Sequence, residues 1–589
     1  MSAARTPAPA RTAAPARTPA LTPAEVELLL GDPADPANPY GFAAAVARDE
    51  ADAFPGELCG LLFEAGFHLA YLPREWGGTF ESFDRSLTLV RAAARRDVTV
   101  MPGTMFSIIA ATCLQVHGSA GQREKVARIL REGGAVAFAM TEAAHGSDLV
   151  SGALHLDEQG RLRGEKWLVG NGTRAEAVYV VARTGARGPG AFTAYLIDTP
   201  RGTTPEGLTR LPAPRTDGMR GVDLATLRFD GLQVPPGARV GKEGEGLEVA
   251  LRAQQAVRLM SMAGSLGIAD TALRLTLDFT ATRRFGRTTL DATPYARREC
   301  AAASAALLAA DAVATAAARG VHVTPRTYSV WGPAAKHLVA EATQDVLRHC
   351  STVLATRSVL RGQAPGDGVF QKLRRDAAVV RVIDASPYAN LRSYAAQLPT
   401  LVTATTADGP APAVDAVFDL EAALPAYEPA RLDLLARGPD PVLAALQDLA
   451  AELAGQTDAD TSALLKELAD AVAELPALAA RTRGADADPH ALADLGESYA
   501  WLHGAAVCVR LWVASRTTGL YGTAPGDTGW LRSVLAYLLS RAAGTDPRRR
   551  ARDLEPARDA VGALHTSHAL FTALPVPLDA PQEAVHAQG

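Results

Sequence analysis

The sequence predicts a mainly α-helical protein built around a central β domain. Segments rich in alanine and leucine fill residues 21–132 and most of the chain beyond 244. Between them lie short apolar or alternating runs bounded by Gly, Pro and Asp, such as AVYVVA and AFTAYLID, the mark of a small β-barrel or sandwich. Hydrophobic residues make up 48% of the chain and aromatics only 6%, a balance that suits packed helices. At 589 residues the chain exceeds a single core and divides into domains.

The elements follow in order. Residues 1–20, a low-complexity Ala/Pro/Arg stretch, read as a disordered tail. Closely spaced prolines prevent a regular helix, and there is no apolar h-region of a signal peptide. Order begins at LTPAEVELLL, where Thr22, Pro23 and Glu25 supply an N-cap, a first-turn proline and a capping-box acid. Residues 21–132 form the N-terminal helical domain and 133–243 the β-barrel domain, with a hairpin around Gln159–Gly160. Residues 244–402 form a four-helix bundle, with helices near 247–282, 293–319, 327–359 and 368–397 and Gly320 placed to stop the second. Residues 403–428 read as a linker and 429–589 as an extra C-terminal helical domain.

Composition excludes several functions. A net charge of -5 argues against a nucleic-acid or membrane electrostatic role. No apolar run is read as a membrane span. Five scattered cysteines without a CxxC pair point to reduced thiols and a cytoplasmic protein. There is no P-loop lysine motif, GxSxG or HExxH, and the twelve histidines lack zinc-ligand spacing, so no metal is expected. GKEGEG reads as a plain turn.

Other stretches carry a resemblance. AFAMTEAAHGSDL resembles the TEP-x-x-GSD signature of the acyl-CoA dehydrogenase family, and GEKWLVGNG its GEKxxITNG segment. LPREWGG is similar to its PxxxGG segment, RRFG to its RxxFG motif, and RDAAVVRVIDAS aligns without a gap to RDxxxxxIYEGT. The similarity covers roughly residues 25 to 400. The extra C-terminal helices resemble those of long-chain members and acyl-CoA oxidases, where they replace a second dimer; the resemblance implies a homodimer.

It also implies chemistry. Removing a proton α to a thioester carbonyl needs a base, a polarised carbonyl and a hydride acceptor, and side chains cannot accept hydride, so the cofactor is FAD. By resemblance Phe138, Met140 and Thr141 line the flavin, Gly146 and Ser147 lie along the substrate and cofactor entrance, and Trp167 and Leu168 flank the ring. The bland alternatives are a Gly-Ser-Asp turn between strands and strand core. Asp384 stands at the position of the family's catalytic glutamate, one methylene shorter and so roughly 1.5 Å less in reach. Its ordinary pKa of about 3.9 must be raised by burial for it to act as a base. The alternative is a surface or helix-capping carboxylate. Val257 occupies the other position where some members place the base, and cannot serve. Arg258 matches an arginine near the catalytic carboxylate.

Several family features are altered. Gly170 replaces a hydroxyl expected near flavin N5. Thr282 falls where the RxxFG arginine would, leaving Arg283 and Arg284 for the cofactor pyrophosphate. STVLATRSV is a degenerate glycine loop, and Gln255 stands where an aspartate often helps hold CoA. These changes point to a specialised member acting on an acyl thioester of CoA or a carrier protein in secondary metabolism. A flavin monooxygenase on the same scaffold and a non-catalytic binding protein are the competing readings.

Overall fold

Thr22 opens the first helix, Pro23–Leu30, through the expected reciprocal cap: its hydroxyl takes the Glu25 amide and the Glu25 carboxylate takes the Thr22 amide at 2.7 Å. The computed structural model describes residues 20–361, 367–404, 413–483 and 488–578. The tail at 1–19 and part of the linker, 405–412, lie outside the described residues. Short helices run to Ala120–Arg131, and the β domain follows.

Its strands are β1 (Val136–Ala139), β2 (His155–Leu156), β3 (Arg161–Gly170), β4 (Ala177–Arg183), β5 (Phe192–Asp198), β6 (Leu208–Pro212), β7 (Leu224–Gln233) and β8 (Arg239–Val240). They pair in the order β6-β7-β3-β2-β4-β5-β8, with β1 parallel to β4. The hydrogen-bonded path ends at β6 and β8, and the sheet curls on itself as a barrel-like domain, so that Val178, Val180 and Ile197 of β4 and β5 share one core with Leu162, Leu227 and Phe229 of β3 and β7. The hairpin at Gly160 is present. AVYVVA is a continuous apolar run because β4 is buried on both faces. Ala177, Tyr179 and Val181 pack with Leu114, Val126 and Leu247; Val178, Val180 and Ala182 pack with Leu154, Leu162 and Phe229.

The bundle helices are Gly246–Thr282, Pro294–Val323, Tyr328–Leu354 and Val369–Val382. Two boundaries differ from expectation. Gly320 does not end the second helix but lies inside it, where a Cβ would meet the Trp331 ring at 2.9 Å. The fourth helix breaks at Ile383–Ser386 and resumes as Pro387–Ala395. Pro387 disfavours helix at Ser386, whose hydroxyl then caps the new helix through the Ala389 amide.

Helix Pro294–Val323 also corrects the membrane reading. By length and hydropathy it could cross a bilayer, but 94% of its apolar window is buried. The C-terminal helices Ala491–Ser515, Gly529–Ala542 and Ala551–Thr566 cover it. The segment that follows inserts between domains. The Phe571 amide donates to Asp270, the Ala573 amide to Asp311, and Arg91, fully buried, bridges both carboxylates and the Phe571 carbonyl. All five cysteines are buried and unpaired.

Candidate active site

Two clusters meet where the β domain faces the bundle. The first joins the end of β1 to β3. The Trp167 amide donates to the Thr141 carbonyl at 2.8 Å. Lys166, nearly fully buried, donates to the Met140 carbonyl at 2.9 Å and to Glu142 at 2.7 Å. Glu142 also accepts the amides of Ala153 and Leu154. Burial pushes the Glu142 carboxyl upward, but Lys166 and the two amides outweigh it and hold it below its usual range. The β3–β7 register shifts between Lys166 and Val169, leaving Trp167 and Leu168 in a bulge with Leu168 at φ +52°. Bulges re-aim side chains beside sites, and this one lies against the end of β1, where Thr141 accepts the Trp167 amide. Phe138, half-buried one pleat back, stacks 5.7 Å from Tyr179.

The second cluster is the break in the fourth bundle helix. Asp384 sits there at φ +65°, a left-handed conformation uncommon for a residue with a side chain. Burial raises its carboxyl above the ordinary value, against the pull of Lys336, Arg258 and the Ser261 hydroxyl. Lys336 donates to the Ile383 carbonyl and, at 2.8 Å, to the Ala385 carbonyl. Arg258 is buried with its Nε unpartnered, and burial lowers its pKa while Asp384 and Tyr328 raise it. Gly146 and Ser147 form an exposed loop after β1, and Ser147 Oγ lies 3.3 Å from Ser386 Oγ. That contact joins the two clusters.

Sequence profiles of the acyl-CoA dehydrogenase N-terminal, middle and C-terminal domains match residues 42–133, 137–232 and 244–384, together more than half of the chain. The protein belongs to the acyl-CoA dehydrogenase family. A probable acyl-CoA dehydrogenase, fadE25, of Mycobacterium bovis is 28% identical over 248 residues, 41% of this chain. The chain spans 62% of that relative's length. An acyl-CoA dehydrogenase from Bacillus anthracis, solved with FAD, is similar over 92% of this chain and 94% of its own, at 15% identity and a TM-score of 0.67. The prolyl acyl carrier protein oxidase AnaB is similar over 60% of this chain and 92% of its own, at 19% identity and a TM-score of 0.54. Likeness at these identities establishes the fold.

The structure of this acyl-CoA dehydrogenase family member brings together Phe138, Met140, Thr141, Trp167 and Leu168, and places Ser147 against the turn of Asp384. Gly170 has a physical reason: a Cβ there would lie 2.0 Å from the Phe106 ring, so Phe106 fills the place of the expected hydroxyl. Arg283 and Arg284 stand apart, exposed at the start of the surface hairpin Arg284–Phe285/Thr288–Thr289. Gln255 is buried and donates its amide to the Asp433 carbonyl, beyond the linker, rather than facing open space. Val257 lines a cavity of about 660 Å³ with Ile108, Thr112, Phe80 and Tyr427; neither Asp384 nor the β1–β3 cluster lines it.

Sequence reading missed Lys336, Phe106 and the Glu142–Lys166 pair. The signal for Lys336 was a lone lysine in the apolar run VWGPAAKHLVA. The signal for the pair was that TE and GEK each carry one of two opposite charges.

Proposed function

We propose that this protein is an FAD-dependent oxidoreductase that removes the α proton and β hydride of an acyl thioester. The observation that carries the reading is the Asp384 turn at φ +65°, bracketed by Lys336 and touched by Ser147 through Ser386, on which burial raises the carboxyl above its ordinary value. The residues present fit FAD. Thr141 gives its carbonyl to Trp167, its hydroxyl has no hydrogen-bond partner among the described residues, and the β3 bulge leaves Trp167 and Leu168 partly exposed beside it. Met140, Thr141, Trp167 and Leu168 would hold the flavin; Arg283 and Arg284, which stand apart in a single chain, would reach a pyrophosphate only across the homodimer proposed below. When bound, FAD supplies the hydride acceptor that side chains cannot.

The chain's own residues do the rest. Asp384 Oδ takes the α proton, and desolvation makes it a stronger base than an exposed aspartate. The charge of Arg258 favours the ionised carboxylate.

CoA and a carrier protein are both suitable bearers of the acyl group, and the altered CoA-side position Gln255 supports a carrier protein and a place in secondary metabolism. Exposed Phe285, next in sequence to Arg283 and Arg284, and exposed Val359, Val382 and Tyr388 support a homodimer. Five unpaired thiols support a cytoplasmic setting. A second reading, oxygen insertion on the same scaffold, draws on Phe106 replacing a hydrogen-bond donor at Gly170.

The test is anaerobic mixing of purified protein with acyl-CoA and acyl-carrier-protein thioesters, followed at the flavin absorbance. Bleaching by one thioester is expected and identifies the carrier. A bound flavin that no thioester bleaches sinks the dehydrogenation reading. Oxygen-18 from O2 in the product would select the second reading.

A further inference from the structure

Lys336 projects from the third bundle helix and is 3% exposed. A buried ammonium normally pairs with a carboxylate. Lys336 instead directs two donors at the carbonyls of Ile383 and Ala385, the residues on either side of Asp384. No carboxylate among the described residues lies within ion-pair distance of it. These carbonyls belong to the broken end of the fourth bundle helix, where peptide oxygens lose their helical partners. The Ile383 carbonyl lies in the peptide plane that enters Asp384 and the Ala385 carbonyl in the plane that leaves Ala385, so the clamp brackets the turn on which Asp384 stands at φ +65°.

We infer that Lys336 is the positioning residue for the base: it holds the Asp384 turn in its left-handed form and so sets the direction of the carboxylate. The inference rests on the proposed role of Asp384. The charged and polar groups facing Asp384 are Lys336 from the third helix and Arg258 and Ser261 from the first; those facing Lys336 are Asp384 and Arg258. Burial brings Lys336 down to about 8, with Arg258 pushing the same way and Asp384 opposing, so its positive charge stands behind the carboxylate through the neutral range. Without Lys336 two carbonyls lose their donors and the turn loses the contacts that hold an unfavourable φ. Asp384 also loses a facing cation, which raises its pKa further.

The test compares wild type, Lys336→Met, Lys336→Arg and Asp384→Asn. Crystal structures of the flavin-loaded Lys336→Met protein should show Asp384 out of the positive-φ region. With short-, medium- and long-chain saturated acyl-CoA thioesters and their carrier-protein counterparts, its flavin reduction should slow on the order of 100-fold, the scale of a 1 Å misplacement. The acid limb of the rate profile should move to higher pH. Lys336→Arg should return that limb towards wild type without restoring the full rate. If Lys336→Met does not fold, Lys336→Gln, neutral and shorter, gives the same comparison. Asp384→Asn that reduces normally overturns the base assignment and this inference with it. Asp384→Asn that is inactive, beside a Lys336→Met protein with unchanged turn, rate and acid limb, overturns the Lys336 role alone.

Discussion

Lys166 and Glu142 form a buried ion pair 2.7 Å apart that locks the end of β1 to the bulge of β3. The lysine also holds the Met140 carbonyl, and the carboxylate also holds the amides of Ala153 and Leu154. The TE and GEK halves of the motif are thus one object, with every polar atom of the pair committed to fixing the backbone beside the proposed flavin site.

Lys166→Met should therefore strip the site as well as weaken the fold. It leaves Glu142 buried without its cation, a loss of about 3–5 kcal/mol for a broken buried pair. The expected outcome is a lower melting temperature and a purified protein with little bound flavin. The double change Lys166→Met with Glu142→Gln should recover part of the stability, because it removes the uncompensated charge as well. Thermal melts and flavin absorbance of the three proteins check this.

Asp384 gives a prediction whose two halves run in opposite directions. Its folded pKa lies above the ordinary value of 3.8. The folded state therefore binds its proton more tightly than the unfolded state. The stability this contributes is fully present below the unfolded pKa and is lost as pH rises through the raised folded pKa. At neutral pH the ionised Asp384 works against the fold. Asp384→Asn should abolish flavin reduction by thioester and leave the flavin bound, yet melt higher than wild type at neutral pH. The gain should vanish in acid. Melting curves across pH beside anaerobic reduction test both halves.

Gly170 and Phe106 compete for one volume. Gly170→Thr would restore the missing hydroxyl but places a Cβ against the Phe106 ring. Overpacking of this kind costs about 1–3 kcal/mol, so the single variant should melt lower and bind flavin poorly. Gly170→Thr combined with Phe106→Ala should fold better than Gly170→Thr alone, a coupling a double-mutant cycle measures directly. Independent, additive effects would show that Phe106 does not occupy the hydroxyl's place.

Much of this was legible in the sequence because it is local. The Thr22–Glu25 cap, the Gly160 hairpin and the long bundle helices follow from spacing over a few residues. What escaped reading is long-range. Lys336 and the Ile383 carbonyl are 47 residues apart, and Lys166 and Glu142 are 24 apart, so no periodicity links them. The fourth helix read as continuous because RDAAVVRV and PYANLRSYA are each helical; only the Ser386–Pro387 step marked the break. Gly320 read as a stop signal because the Trp331 ring it accommodates comes from another helix. Helix Pro294–Val323 was legible as a bundle helix, but reading Gly320 as its end cut its apolar length short. Arg283 and Arg284 matched a motif by pattern, while the fold of a single chain leaves them on its surface.

The knot at Arg91 ties the C-terminal segment to the bundle and yields a last prediction. Arg91, Asp270 and Asp311 are all buried, and the arginines Arg274, Arg95 and Arg91 hold the Asp270 carboxyl well below its usual range despite burial. Asp311 differs: burial raises it, and Arg91, the Ala573 amide and the Tyr521 hydroxyl only partly offset this. Arg91→Met removes the main counter-charge of Asp311 and one donor to the Phe571 carbonyl. It should cost about 3–5 kcal/mol and lower the melting temperature by several degrees. Removing residues 568–589 frees the same carboxylates of their amide donors. Because both changes strike one network, their costs should not add: the truncated Arg91→Met protein should melt higher than the sum of the single losses allows. Strict additivity would mean that the segment after Thr566 and Arg91 stabilise the protein separately, and that the buried contacts of Phe571 and Ala573 contribute little.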